Sequence, residues 1–277
     1  MKKNQISKRR LGRTNLFVTE LGFGAMDTPQ VSEGKDALLL AFNRGINFVD
    51  TSRIYDGSEI LLGTILPLFI REKLIVATKT INRTRDGAQY DIDKSLSLMN
   101  LEYIDLYQLD DVGLDQWDLV LEEAGALQGL KIAKYRGLIK YIGISSHDLN
   151  VIKLAIESKY FDTVMIEYSA FYTESYDLIK LAKENDIGVI IMRPLGGSGR
   201  MTNLRSIMER DPTFQKITPD KLLEFVLSNP DIAVSIVGSR YPNRVQSNID
   251  NVLELEYLEP DEITKYMCEA AKLYDFL

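Results

Sequence analysis

Along the chain, short apolar runs alternate with segments whose apolar residues recur at helical spacing. An arm from Arg9 to Thr19 reads as a hairpin turning near Thr14-Asn15, followed by an apolar, glycine-punctuated run over Leu21–Ala25. Ser32 can cap a helix carrying Ala37, Leu38, Leu40 and Ala41, with Gly45 as its stop. Seven further strand-like runs follow: Ile46–Val49 ending at Asp50, Leu74–Ala77 ending near Lys79, Ile104–Leu109, Tyr141–Ile144, Thr163–Ile166, Ile187–Met192 and Ala233–Val237. Helical stretches fall between them. One starts near Ser58 and is stopped at Pro67; others cover Asp91–Met99, Trp117 to about Arg136, Leu149–Glu157 and Tyr176–Asn185. Thr218 and Pro219 open a helix through Leu227, Pro242 opens the next, and Glu259-Pro260-Asp261 begins a last one.

Eight strand signals, each followed by a helix and with no Pro- or Ser-rich linker between halves, predict one α/β domain over residues 1–277. The expected architecture is a single (β/α)8 TIM barrel with an N-terminal hairpin and an extra C-terminal helix. A doubly wound open sheet is the competing fold, because continuous apolar strands suit both. No strand leads into a G-x-G-x-x-G fingerprint, however, and Gly22 and Gly24 supply only two of its glycines.

Composition narrows the partners. The net charge of −7 argues against nucleic acid, and Lys8-Arg9-Arg10, read as a surface arm, is too short to reverse this. The sole cysteine, Cys268, and sole histidine, His147, exclude an intrachain disulfide, a cysteine-ligated cluster and a multi-histidine metal site. A reducing, cytoplasmic setting fits. No secretory signal is read at the N-terminus, and the longest apolar run, Ile60–Ile70, is broken by Gly63 and Pro67 and is too short to cross a bilayer.

In a (β/α)8 barrel, polar residues at the C-terminal ends of strands are the candidates for chemistry. Asp50, Lys79 and Asp110 end three consecutive strands here, and Tyr55 follows Asp50 in its loop. A lysine beside a phenol is expected to lower its pKa from about 10, while a paired aspartate keeps the ammonium charged. Tyr55 would then act as general acid toward a carbonyl oxygen. No side chain donates hydride, so a nicotinamide cofactor is required.

Several segments together resemble the aldo-keto reductases. Leu11–Met26 is similar to the opening signature of that family, and Gly45–Thr51 with Tyr55–Glu59 to the segment holding its catalytic Asp and Tyr. Tyr103–Leu109, Tyr141–Ser146 and Ile190–Gly197 match later segments, so the resemblance runs from about Leu11 to Asn248. It implies that Asp50, Tyr55 and Lys79 are three of four catalytic residues. The fourth departs: Asp110 stands where the family has His. An ionised carboxylate cannot donate to a carbonyl oxygen, so Asp110 could substitute only if burial or Asp111 kept it protonated. Three readings stay open: a carbonyl reductase with protonated Asp110; a reductase of conjugated enones, as in the family's steroid double-bond reductases, which carry Glu there; or a cofactor-binding protein without turnover.

The resemblance also implies NADP. Gly238 and Ser239 would line its phosphates, Arg244 clamp the 2'-phosphate and Asn248 meet the adenine, with Arg240 a weaker candidate. An Arg and a Ser at a helix start make an anion site; a solvated Arg on an ordinary helix is the plainer alternative. Ser145 and Ser146 would hold the carboxamide where the family has Ser-Asn, although Ser146 serves equally as a helix cap. Met165 replaces a frequent Gln. Gly24, Ala25 and Met26 should run under the cofactor, and Asp50 should also reach it. Arg193, Pro194 and Leu195, which lead into Gly196-Gly-Ser-Gly199, are further cofactor contacts, with a ligand-free flexible loop as the plainer alternative. His147 reads as a partly exposed loop residue, Trp117 as pocket or packing, and Asp86 and Asp91–Asp93 as loop and helix-start charges. The sequence leaves the small-molecule substrate and the oligomeric state open.

Overall fold

A computed structural model of the chain describes residues 4–197 and 217–274, with Asn203 and Ser206 between them, and only the backbone of 272–274. Eight parallel strands close into a barrel: β3 (Leu21–Gly24), β4 (Phe48–Asp50), β5 (Ile75–Thr80), β6 (Ile104–Leu109), β7 (Ile139–Ser145), β8 (Thr163–Glu167), β9 (Gly188–Met192) and β10 (Val234–Gly238), which pairs back with β3. Neighbouring strands follow chain order. The open-sheet alternative is thereby excluded. Across the site side of the ring, Gly24 is level with Asp50, Asp50 with Ala77, and Lys79 with Gln108 and Gly143.

Side chains on the strands alternate between the ring's interior and the surrounding helices. Phe48, Ile75, Ala77, Leu106, Met165, Ile190, Val234 and Ile236 form one buried cluster inside the barrel. A larger cluster fills the space between strands and helices. The antiparallel hairpin of β1 (Lys8–Arg10) and β2 (Phe17–Thr19), joined through a 3-10 turn at Gly12–Thr14, adds Leu11 and Val18 to the inner cluster. Close packing there leaves no room for a side chain at Gly22, whose added Cβ would sit 2.7 Å from the Val234 side chain.

The helices with described bounds are α1 (Gly34–Asn43), α2 (Ser58–Ile65), α3 (Arg85–Met99), α4 (Trp117–Leu121), α5 (Ala126–Tyr135), α6 (Leu149–Ser158), α7 (Tyr176–Glu184), α8 (Pro219–Leu227), α9 (Pro242–Glu254) and α10 (Pro260–Tyr274). Five details differ from the sequence reading. The residue before α1 is Glu33 rather than Ser32, and Thr218 makes no side-chain cap. Helix α3 begins earlier than expected, with the Thr84 hydroxyl accepting the Gly87 N–H. The single helix expected over Trp117–Arg136 is broken after Leu121. Gly125 is extended there and pairs with Thr84, and an added Cβ would lie 2.6 Å from the Val120 carbonyl. Arg9, expected on a surface arm, turns inward: it donates to the carbonyls of Leu227, Asn229 and Ile232 and pairs with buried Glu20.

Candidate active site

The C-terminal rim of β4–β7 gathers a set of buried charges. Asp50 is the last residue of β4, and the chain then makes a short loop into α2. The Tyr55 N–H donates to the Ser52 carbonyl and the Ser58 N–H to the Tyr55 carbonyl. Gly57 has φ +72°, a conformation that costs glycine nothing and lets the loop enter the helix directly after Asp56. Tyr55 therefore sits on a tight, hydrogen-bonded turn at the mouth.

Lys79 reaches the same point from β5. Its side chain is fully buried, and Nζ donates to Asp50 Oδ2 and to the Thr51 carbonyl, each at 2.7 Å. The same Nζ lies 4.8 Å from the centre of the Tyr55 ring, within cation–π range. Gln108 Nε2 approaches the other Asp50 oxygen at 3.5 Å. A buried ammonium is tolerable only when paired and hydrogen-bonded, and this one is both.

Outward-facing β5 residues brace the loop from behind. Thr78 donates to Glu59 and Thr80 to Asp91 Oδ2, while Arg53 pairs with Glu59 and lies 3.7 Å from Asp91. Asp91, read in the sequence as a helix-start charge, is buried and also accepts from Asn82 Nδ2. Its partners come from the end of β5, the loop after it and the loop after β4, which helical spacing does not reveal.

Burial dominates the electrostatics. It pushes the Asp50 carboxyl up to about 6, against the opposing pull of Lys79. Burial works against the charged Lys79 as well, but Asp50, Tyr55 and Asp110 outweigh it and hold the ammonium above its ordinary value. For Tyr55 burial again leads, Asp50 and Asp110 add to it, and Lys79 opposes them; the phenol lies above its usual value. The sequence expectation of a lowered phenol pKa is overturned. Proximity to lysine was legible, but the desolvation that wins was not. A neutral phenol is the form that can give a proton.

Asp110 follows β6 and is buried. Its Oδ2 accepts from the Ser52 hydroxyl at 2.7 Å and its Oδ1 from the Ser145 hydroxyl at 2.9 Å. Arg83 Nη2 donates to the carbonyls of Asp110 and Asp111, and Arg83 Nε to Gln116. Sequence reasoning missed Ser52 and Arg83. Ser52 carried a usable signal, a polar residue directly past a barrel strand; Arg83 carried none.

The opposite rim, after β7–β10, is more open. Ser146 donates to the Val112 carbonyl and accepts the Asp148 N–H, so its hydroxyl is committed to local structure. Met165 is buried inside the barrel. His147 is half-exposed and faces Glu167 at 3.4 Å, which Arg193 also approaches at 3.3 Å. Pro194 is buried, Leu195 is partly so, and Gly196 and Gly197 have φ +84° and +91°; Ser198 and Gly199 lie outside the described residues. Trp117 packs 6.3 Å from Phe161.

At β3, Gly24 approaches Gly238 so closely that an added Cβ would be 3.3 Å from the Gly238 N; Ala25 is buried and Met26 exposed. Ser239, buried, accepts from Asn248 Nδ2 at 3.2 Å. Arg244 is exposed in the first turn of α9, and Arg240 donates to Gln30 across the rim. A hydroxyl and two guanidiniums beside a helix start are a donor set that fits phosphate groups. Among the described residues, no group of three His, Cys, Asp or Glu could hold a metal ion, and no helix is long and apolar enough to cross a membrane.

A sequence model of the Aldo/keto reductase family matches residues 20–266. The uncharacterized oxidoreductase YqkF of Bacillus subtilis is 28% identical, covering 87% of this chain and 90% of its own. The L-galactose dehydrogenase of Arabidopsis thaliana is 29% identical, covering 96% and 94%. Among solved structures, the holo form of aldo-keto reductase AKR11C1 from Bacillus halodurans superposes with a TM-score of 0.81 at 25% identity, over 96% of this chain and 97% of that one. The chain belongs to the aldo/keto reductase family of oxidoreductases.

Proposed function

We propose that this protein is an NADP-dependent reductase of small-molecule aldehydes, ketones or quinones, with Tyr55 as the proton donor. The observation that carries the reading is the buried Lys79 ammonium, held between the Asp50 carboxylate and the Tyr55 ring at the barrel mouth. The reduced nicotinamide supplies the hydride when bound. Tyr55 gives its phenolic proton to the carbonyl oxygen as that carbon is reduced, and Lys79 stabilises the phenolate left behind. Asp50 keeps Lys79 charged and aimed, and the resulting ion pair stands in water-poor surroundings where its field is strong.

Arg244, Ser239 and Gly238 would hold the nucleotide's phosphates and Asn248 its adenine, with Arg240 beside them. Gly24, Ala25, Met26, Ser145, Ser146, Arg193, Pro194 and Leu195 would line the remaining length. Ser146 contributes through its backbone at most, since its hydroxyl is engaged elsewhere. We take residues 1–277 as one barrel domain acting in the cytoplasm.

Reduction of a conjugated enone is the second reading, and the buried carboxyl of Asp110 favours it. That chemistry would need a carboxylic O–H aimed at the substrate, whereas both oxygens of Asp110 accept from serine hydroxyls, so carbonyl reduction comes first. The test is oxidation of NADPH in the presence of aldehydes, quinones and enones, with an aldose added for oxidation because one relative is named L-galactose dehydrogenase. Turnover of carbonyls that Tyr55→Phe abolishes supports the proposal. Tight NADPH binding without turnover of any substrate would establish a cofactor-binding protein instead.

A further inference from the structure

We propose that Asp110 is a positioning residue, a carboxylate that ties Ser52 in the Tyr55 loop to Ser145 at the end of β7 and so fixes the phenol against Lys79. The inference rests on Tyr55 being the proton donor. Asp110 is buried and both of its oxygens are engaged, at 2.7 Å by Ser52 and 2.9 Å by Ser145. The direction of these bonds follows from the serines' other contacts. Ser145 Oγ accepts the Asp111 N–H at 3.0 Å, and Ser52 Oγ lies 3.5 Å from the Ile54 N–H, so each hydroxyl turns its hydrogen to Asp110.

The backbone of Asp110 is held as firmly. Its N–H donates to the Thr80 carbonyl at 2.8 Å, and its carbonyl accepts from Arg83 Nη2 at 2.7 Å. The next residue, Asp111, has φ +47°, a left-handed conformation that is uncommon outside glycine, asparagine and aspartate. Force applied through Ser52 reaches Tyr55 directly, because the Ser52 carbonyl accepts the Tyr55 N–H at 3.0 Å. The outward partner of the same loop, Arg53, is anchored to Glu59. The loop is thus gripped from both sides. Only the inner grip passes through a residue beside the reacting groups.

Position and charge are separable. The charged groups facing Tyr55 are Lys79 from β5, Asp50 from β4 and Asp110 after β6, and both aspartates act to raise the phenol's pKa. Replacing Asp110 with asparagine keeps the shape and an acceptor oxygen but removes the charge. Alanine removes both.

The experiment compares Asp110→Ala, Asp110→Asn, Ser52→Ala and the Asp110→Ala/Ser52→Ala pair. It reads kcat and KM for the best carbonyl substrate, the NADPH Kd, the pH profile, and hydrogen exchange of the 51–58 amides. Expected losses in kcat for Asp110→Ala and Ser52→Ala are each about tenfold to a hundredfold, the range for a hydrogen bond to a charged group. The NADPH Kd should hold, and the pair should lose no more than its poorer member, as for residues acting as one unit. Asp110→Asn should lose less in kcat and should move the alkaline limb, which reports loss of the phenolic proton, to lower pH. Loop amides should exchange faster in both alanine variants.

Loss of turnover in Asp110→Ala with none in Ser52→Ala would overturn the proposal, since the carboxylate would then act on substrate directly. Unchanged loop exchange in both variants would overturn it whether or not any substrate turns over. Should Asp110→Ala fail to fold, Ser52→Ala and Asp110→Asn carry the same readouts. Retained activity in Tyr55→Phe would refute the proton-donor reading separately, leaving the exchange result to judge the link between Asp110 and the loop.

Discussion

Two sides of one barrel mouth solve opposite problems. On the β4–β6 side the charges are buried or half-buried and tied: Lys79 to Asp50 and Thr51, Asp110 to Ser52 and Ser145, Arg53 to Glu59. On the β9–β10 side Arg193 and Arg244 are exposed, and Arg244 has no side-chain partner among the described residues. A group that must move a proton gains from low dielectric and fixed geometry, and its charges need partners within the protein. A group that must meet an anionic ligand is better left in water, where the ligand brings the missing charge. The contrast separates chemistry from capture, and each prediction below presses on one side while watching the other.

The largest effect belongs to Tyr55→Phe. Loss of a general acid should lower kcat by about a hundredfold to ten-thousandfold. NADPH affinity, followed by fluorescence titration, should change little, because the open rim is untouched. A matching loss of affinity would merge the two sides. Next comes Lys79→Met, which strands the Asp50 carboxyl in a dry site. Breaking a buried pair from one side costs roughly 3–5 kcal/mol, read as a lower denaturation midpoint. An unshifted midpoint would mean that Asp50 finds water or another donor. Third, Arg244→Ala should weaken NADPH by about tenfold to a hundredfold, the worth of a charge-assisted hydrogen bond, and NADH hardly at all. Equal weakening of both nucleotides would remove the 2'-phosphate contact. Its kcat at saturating NADPH should stay near that of the parent, which makes it the mirror of Tyr55→Phe.

The sequence shows this division only partly. Asp50 at a strand end, and Lys79 and Asp110 within one residue of one, were legible because apolar runs stop near them and a barrel sets consecutive strands side by side. The Thr84–Gly125 pairing that breaks the helix after Leu121 was not, since it joins segments that no periodicity connects. Asp91 and Arg9 were misread for a related reason. Charged residues default to the surface, and only tertiary partners such as Thr80 and Asn82, or three carbonyls at the end of α8 and in the loop after it, overrule that default. Ser146 illustrates a third limit: a motif gives a residue's place, while its hydroxyl answers to whichever local donor and acceptor come first.

The smallest expected effect is also the most diagnostic of burial. Asp50 has its carboxyl pushed up to about 6, so reduction should decline as pH falls through that value and Lys79 loses its charged partner. Stability should move the other way. Because the folded-state value lies above the reference of 3.8, the folded protein binds this proton more tightly than the unfolded chain does. The contribution of Asp50 to stability therefore grows as pH drops from about 6 toward 3.8, and is lost again as pH rises through the same window. Other carboxylates titrate there too, so the useful quantity is the difference between the parent and Asp50→Asn, measured by denaturant unfolding at several pH values. That difference should shift toward the parent at lower pH, while the acid limb of kcat/KM disappears in the variant. A pH-independent difference would show that Asp50 is solvated, and the dry side of the mouth would then be no drier than the open one.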